Sequence, residues 1–232
     1  MPTQPGPYGQ RNVVSIRASR LAADGSRVCP NTDGSAWMPG CVVDLAVTRT
    51  VDAGTTDVAR DGDGNICQTR TTDDAITGIE LSMNLLLLDF EMIEILTGAL
   101  LLATAGPNNY GFEEPNPTDT PPRVEFHWWA RAWDGAGQAA APYSYVHFVA
   151  FNTAWRLGDE TFGEGATQIP LIGKGQANNS ISIGSFNDIP PDAQGDGFTA
   201  RWLDTDLPDP LAAPYSTAPD GGWLDTPVCT AS

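Results

Sequence analysis

Asp61, Asp63 and Asn65 stand in the run DGDGN, which opens like an oxygen-rich calcium loop. The remainder of such a loop is missing, because its sixth position calls for glycine and is Ile66, and its twelfth calls for glutamate and is Thr72. A turn at the tip of a polar connection is the better reading. His127 and His147 are the only histidines, and both fall among aromatics in strand-like runs, where a ring packs with its nitrogens hydrogen-bonded. No serine occupies a Gly-x-Ser-x-Gly elbow, so nucleophilic hydrolysis has no visible support. Glu113 and Glu114 adjoin, and with Trp128, Trp129 and Trp133 they would suit an acid pair beside a sugar platform. Strand alternation, however, puts Trp129 and Trp133 on one face and Trp128 on the other, as in a strand packed on both sides. Gly163–Gly165 and Gly173–Gly175 lack a following helix and a Lys-Ser/Thr pair, so they read as turns rather than phosphate loops. Cys29, Cys41, Cys67 and Cys229 are scattered, with no C-x-x-C pair and no histidine at metal spacing. They read as free thiols of a reducing cytoplasm, with a Cys41–Cys67 or Cys29–Cys229 bridge as the alternative. The residue types therefore point to no catalytic group, no metal and no cofactor.

The elements that would position these residues are mainly strands. With 24 Gly and 19 Pro, the 232-residue chain favours short strands and turns, and its 41% hydrophobic content supplies a core. Residues 1–11 read as an extended arm, residues 12–187 as one β domain, and residues 188–232 as a second arm. Asn12–Ala22 alternates, with Val14, Ile16, Ala18 and Arg20 on one side, and predicts a first strand. Asp24–Gly40 reads as a loop, and Cys41–Val51 as a second strand that buries Val43, Leu45 and Val47. Thr50–Asn65 is a long polar connection, of the kind that is functional when it occurs inside a domain. Ile66–Thr72 and Ala75–Leu88 read as strand, with Ile79, Leu81, Met83, Leu85 and Leu87 on one face. Asp89 is placed as an N-cap for a short helix whose packing face is Phe90, Ile93 and Leu96, and Gly98 ends it. Ala105–Pro122 reads as a loop. Arg123–Asp134 and Tyr143–Phe162 predict a long antiparallel hairpin, and Thr167–Lys174 a further strand. The segment from Asp188 holds seven Pro and eight Asp, a density that argues against regular elements. It repeats Trp-Leu-Asp-Thr at Trp202–Thr205 and Trp223–Thr226, so Trp202, Leu203, Trp223 and Leu224 read as anchors that dock into grooves.

Charge narrows the function classes. The chain has 12 basic and 29 acidic residues, a net charge of −17, and Lys174 is its only lysine. Without a basic stripe to displace counterions, tight DNA binding is not expected. Such a surface can still border DNA as a non-adhesive wall, since like charges repel over about 8–10 Å at moderate salt. The apolar run Leu81–Leu102 is broken by Asn84, Asp89, Glu91 and Glu94, which argues against a membrane span. The first residues lack the basic and apolar regions of a secretory leader.

Within Gln68–Gly98, Cys67-Gln68 and Thr71-Thr72 precede Thr77-Gly78, and Glu94-Ile-Leu-Thr-Gly closes the helix. In this, and in the order of its elements over Val13–Lys174, the chain resembles the tail tube (major tail) proteins of long-tailed, siphovirus-type bacteriophages. The resemblance implies a tail-tube-type β-sandwich with one short flanking α-helix, a long inter-strand loop and extended N- and C-terminal arms. It implies a structural subunit in place of an enzyme, assembled into hexameric rings that stack as a tube and conduct viral DNA through an acidic lumen. Its partners would be other copies of itself, tail proteins at the tube ends and DNA in transit, with no membrane contact. It would be made in the host cytoplasm and reside in the virion tail. Thr55, Thr56, Asp57, Arg60, Asp61, Asp63 and Asn65 would form the contact between rings. The alternatives are a distal or minor tail protein of the same fold, and a carbohydrate-binding β-sandwich displayed on the virion.

Overall fold

A computed structural model describes residues 8–25, 35–39, 42–86, 90–103, 110–134, 144–160, 168–178 and 198–204. In chain order the elements are β1 (Tyr8–Arg20), β2 (Ser35–Pro39), β3 (Val42–Asp52), β4 (Thr56–Arg60), β5 (Ile66–Thr71) and β6 (Ala75–Leu85). They continue with α1 (Phe90–Thr97), β7 (Leu100–Ala103), β8 (Tyr110–Glu113), β9 (Arg123–Asp134), β10 (Tyr145–Leu157), β11 (Ile169–Gly175) and β12 (Thr199–Asp204). The protein is mainly β.

Eight strands form one antiparallel sheet in the order β2-β1-β9-β10-β11-β6-β3, with β12 also paired to β10. One edge of β10 is shared. Its first part, Tyr145–Ala150, pairs with β12, and its last part, Thr153–Leu157, pairs with β11. On the opposite edge the register with β9 slips between Ala150 and Thr153, at the same point along the strand. Asn178 bridges this changeover, donating from Nδ2 to the carbonyl of Phe151 at 3.3 Å and of Gly25 at 2.9 Å. The sheet curls on itself, so that β3 at one end comes against β1 near the other. Two small antiparallel pairs, β4–β5 and β7–β8, lie outside it.

The core lines the inside of the curl. Ile16 and Ala18 of β1, Leu81, Met83 and Leu85 of β6, Val124 and Phe126 of β9, and Leu171 of β11 are all buried there. Phe126 packs on Trp155 with centroids 4.7 Å apart, and Trp128 stacks on Phe148 at 5.0 Å. The helix closes this core. Ile93 and Leu96 are buried as the spacing predicts, and Phe90 is half-buried against Phe112. Met92 and Ile95 are buried as well, so the helix packs over a wider arc than a single stripe. Gly98 ends it with a left-handed φ of 77°, which glycine adopts without steric cost.

The long strands and the helix fall where the sequence places them, but several stretches read as loops hold short strands. β2 lies inside Asp24–Gly40, and β8 lies inside Ala105–Pro122. The segment beyond Asp188 contains β12, because its proline-free stretch Thr199–Asp204 can supply ladder donors to β10. β1 begins at Tyr8, inside the predicted arm. Two packing assignments also change. Val43 is 43% exposed, because a register shift between Val42 and Asp44 turns Val42 inward instead. Irregularities flanking Val13, next to Asn12 at φ 50°, likewise bring Val13 rather than Val14 against the core. Leu87, Asp89, Cys29, Cys41, Cys229, Trp223 and Leu224 lie outside the described residues, as do Gly163–Gly165.

Candidate assembly surface

The connection Thr50–Asn65, expected as a loop, is instead the first half of a projecting two-stranded ribbon. β3 and β6 run past the core together, and β4 and β5 continue beyond them as a hairpin. Every residue from Thr48 to Thr77 is exposed. Threonines take the place of a packed core in holding this ribbon. The Thr55 amide donates to Thr72 Oγ1 at 2.8 Å, and the Thr72 amide returns a bond to the Thr55 carbonyl at 2.9 Å. Thr56 and Thr71 bring their hydroxyls to 3.4 Å across the strands. Gly54 is needed at the root, since a Cβ there would fall on the Thr72 carbonyl.

The turn at the far end is built by Asp61. Its Oδ1 accepts the amides of Asp63 at 3.0 Å and Asn65 at 2.8 Å, and its Oδ2 accepts Asn65 Nδ2 at 3.1 Å. Arg60 donates to the Gly64 carbonyl at 2.8 Å. Both carboxylate oxygens of Asp61, the first residue of the calcium-like run, therefore serve the turn itself. No group of three or more His, Cys, Asp or Glu suited to a metal occurs among the described residues.

All seven residues singled out for ring contacts lie on this ribbon. Thr55 and Thr56 tie its root, Asp57 stands opposite Arg70, and Arg60, Asp61, Asp63 and Asn65 make the tip. Apolar side chains accompany them: Val51, Val58, Ile66 and Ile76 are 42–57% exposed. β3 is also an edge, since among the described residues it pairs only with β6. An edge strand with exposed valines is a template for another chain. Of the four anchor residues, Trp202 and Leu203 lie on β12, opposite His147 and Val146, so that segment docks by strand pairing on this same chain.

The histidines are buried, not exposed at a site. His127 Nδ1 and His147 Nε2 are 2.9 Å apart, and His127 Nε2 lies 3.0 Å from both Glu125 Oε1 and Arg17 NH2. Nε2 cannot donate to the carboxylate and accept from the guanidinium at once, so two proton arrangements compete across the pair. Trp129 stacks on both imidazoles, and Glu125, His127 and Trp129 have no solvent exposure. Trp128 is buried on the opposite face, so neither tryptophan offers a sugar platform beside Glu113 and Glu114, which are themselves exposed.

Sequence reading missed a group of cations on the outer sheet face, Arg123, Arg156 and Lys174, which share a cleft. They are far apart in sequence, and only strand register brings them together. Cys67 is exposed and free. No helix among the described residues is long and apolar enough to cross a membrane. Compared with known proteins, the chain matches no family model and no curated sequence.

Proposed function

We propose that the chain is a structural subunit of a bacteriophage tail tube, with the curled sheet serving as the tail-tube-type β-sandwich. Copies associate as hexameric rings that stack, and the acidic lumen conducts viral DNA. The observation that carries this reading is the ribbon from Thr48 to Thr77, exposed throughout, rooted on an edge strand and bearing apolar side chains. A two-stranded ribbon is marginal by itself in water, and a second protein surface is what would stabilise it. The net charge of −17 supports the lumen assignment, because a polyanionic wall holds no DNA. Other copies of the chain are the main partner, with tail proteins at the ends.

The test is electron microscopy of the purified protein and of a variant in which Thr56–Thr71 is replaced by a short Gly-Ser linker. The wild type is expected to give tubes. The variant is expected to stay folded, because every residue removed is exposed, and to stop at rings or monomers. Tubes of normal length from the variant would refute the contact role of the ribbon. Wild-type rings that never stack would move the chain to a tail-end position, and a lone monomer would end the tube reading.

A further inference from the structure

A cleft of about 630 Å³ opens on the outer face of the sheet at the root of the ribbon. Register explains its lining. Glu80, Lys174, Ala154 and Arg123 stand opposite one another on β6, β11, β10 and β9, forming one row across four strands, and Thr50 of β3 joins the lining opposite Gly78. Arg156 belongs to the adjacent row, opposite Ile172. Three of the chain's 12 basic side chains thus meet beside one carboxylate in a molecule of net charge −17. Among the described residues, Glu80, Arg123, Arg156 and Lys174 form no ion pair. A concave group of three cations with a single carboxylate among them carries an excess of positive charge and attracts an anion.

We infer that this cleft is the receptor for the ribbon turn of a second copy, Asp61 and Asp63 meeting Arg123, Arg156 and Lys174 while Arg60 meets Glu80. The inference rests on the tube reading and names where its arm docks. The charges are opposite in balance, three cations and one carboxylate in the cleft against two carboxylates and one guanidinium at the tip. Val58 and Ile66, exposed beside the tip, bring apolar surface to a cleft partly lined by Pro121 and Ile172. Geometry favours a copy over DNA. The cleft is confined and contains Glu80, whereas a phosphate backbone needs an extended cationic track. Tip and cleft are different patches of one molecule, so the contact is heterologous and can repeat from copy to copy along a stack. Extended chain from Thr50 to Asp61 gives the ribbon a reach of roughly 35 Å, which sets the offset between neighbours.

The full-length chain tests this by charge exchange. Lys174→Glu with Arg156→Glu, and separately Asp63→Lys, should each raise the concentration needed for tubes about tenfold or more. Combining all three substitutions should return it to near the wild-type value, because tip and cleft are then complementary again. Thermal unfolding of each variant checks that the fold is intact. Tubes unaffected by the cleft substitutions would overturn the docking while leaving the tube reading in place, and so would failure of the combined variant to recover. Duplex DNA that binds the wild type and not the cleft variant would overturn it in favour of a nucleic-acid site. A wild type that forms no tubes would instead remove the tube reading, and the docking with it.

Discussion

At the ribbon tip a single carboxylate holds the turn, and its titration is therefore visible in structure. The Asn65 side chain and then the Asn65 amide stabilise ionised Asp61, which lowers its carboxyl below the ordinary value of 3.8. A carboxylate depressed on folding adds stability above its unfolded value and loses it as pH falls through the folded one. The turn is thus expected to keep its form from neutral pH down to 3.8 and to loosen only below that. The amide shift of Asn65, followed by NMR, should report a midpoint under 3.8; a midpoint at or above it would contradict the bonding described. Deeper in the molecule, His127 touches Arg17, Glu125 and His147 at hydrogen-bond distance in a site without solvent. His127→Leu withdraws a partner from buried charged groups, which costs about 2–4 kcal/mol. Chemical denaturation should show that loss. A change under about 0.5 kcal/mol, the level of an ordinary surface substitution, would mean the network is not structural.

Elements that announce themselves do so through local period, and those that do not depend on distant partners. β9, β10 and α1 were legible because Val124, Phe126 and Trp128 alternate and Phe90, Ile93 and Leu96 recur at helical spacing. Of the ribbon, β5 was legible as Ile66–Thr72 but β4 was not, because TTDVARDGDGN carries no apolar alternation and β4 is held by threonine hydroxyls and backbone pairing. β12 hid among prolines, and its partner β10 lies 49–59 residues back along the chain. The cleft depends on the register of five strands, which no local pattern encodes. Where a local signal and a backbone requirement coincide, the expectation is sharp. Gly98 both ends α1 at positive φ and lies where a Cβ would come 2.9 Å from Pro122 Cδ. Gly98→Ala should cost about 1–2 kcal/mol. In a chain of this size that lowers the melting temperature by about 2–4 °C per kcal/mol, measurable by calorimetry. No shift would mean that the helix end can re-form without the left-handed residue.

For the whole molecule, the net charge opposes the proposed assembly. Every copy carries −17, so copies repel before any contact forms. The range of that repulsion is about 30 Å at 0.01 M salt and about 8 Å at 0.15 M. The ribbon projects roughly 35 Å by its extended length, so at low salt the repulsion spans much of the gap a docking arm must cross. At 0.15 M it does not. In the proposed docking, tip and cleft meet at contact, where screening by 0.15 M salt acts least. Assembly is therefore expected to accelerate between 0.01 and 0.15 M salt, the reverse of what a complex driven by long-range attraction shows. Light scattering at fixed protein concentration measures it. An Asp63→Lys chain separates the two effects: its net charge shifts by two out of seventeen, so the long-range repulsion barely changes, but its tip no longer matches the cleft. It should assemble poorly at both salt concentrations. If wild-type assembly instead slows steadily as salt rises, attraction between copies dominates at every distance, and an acidic repelling wall is the wrong description of this surface.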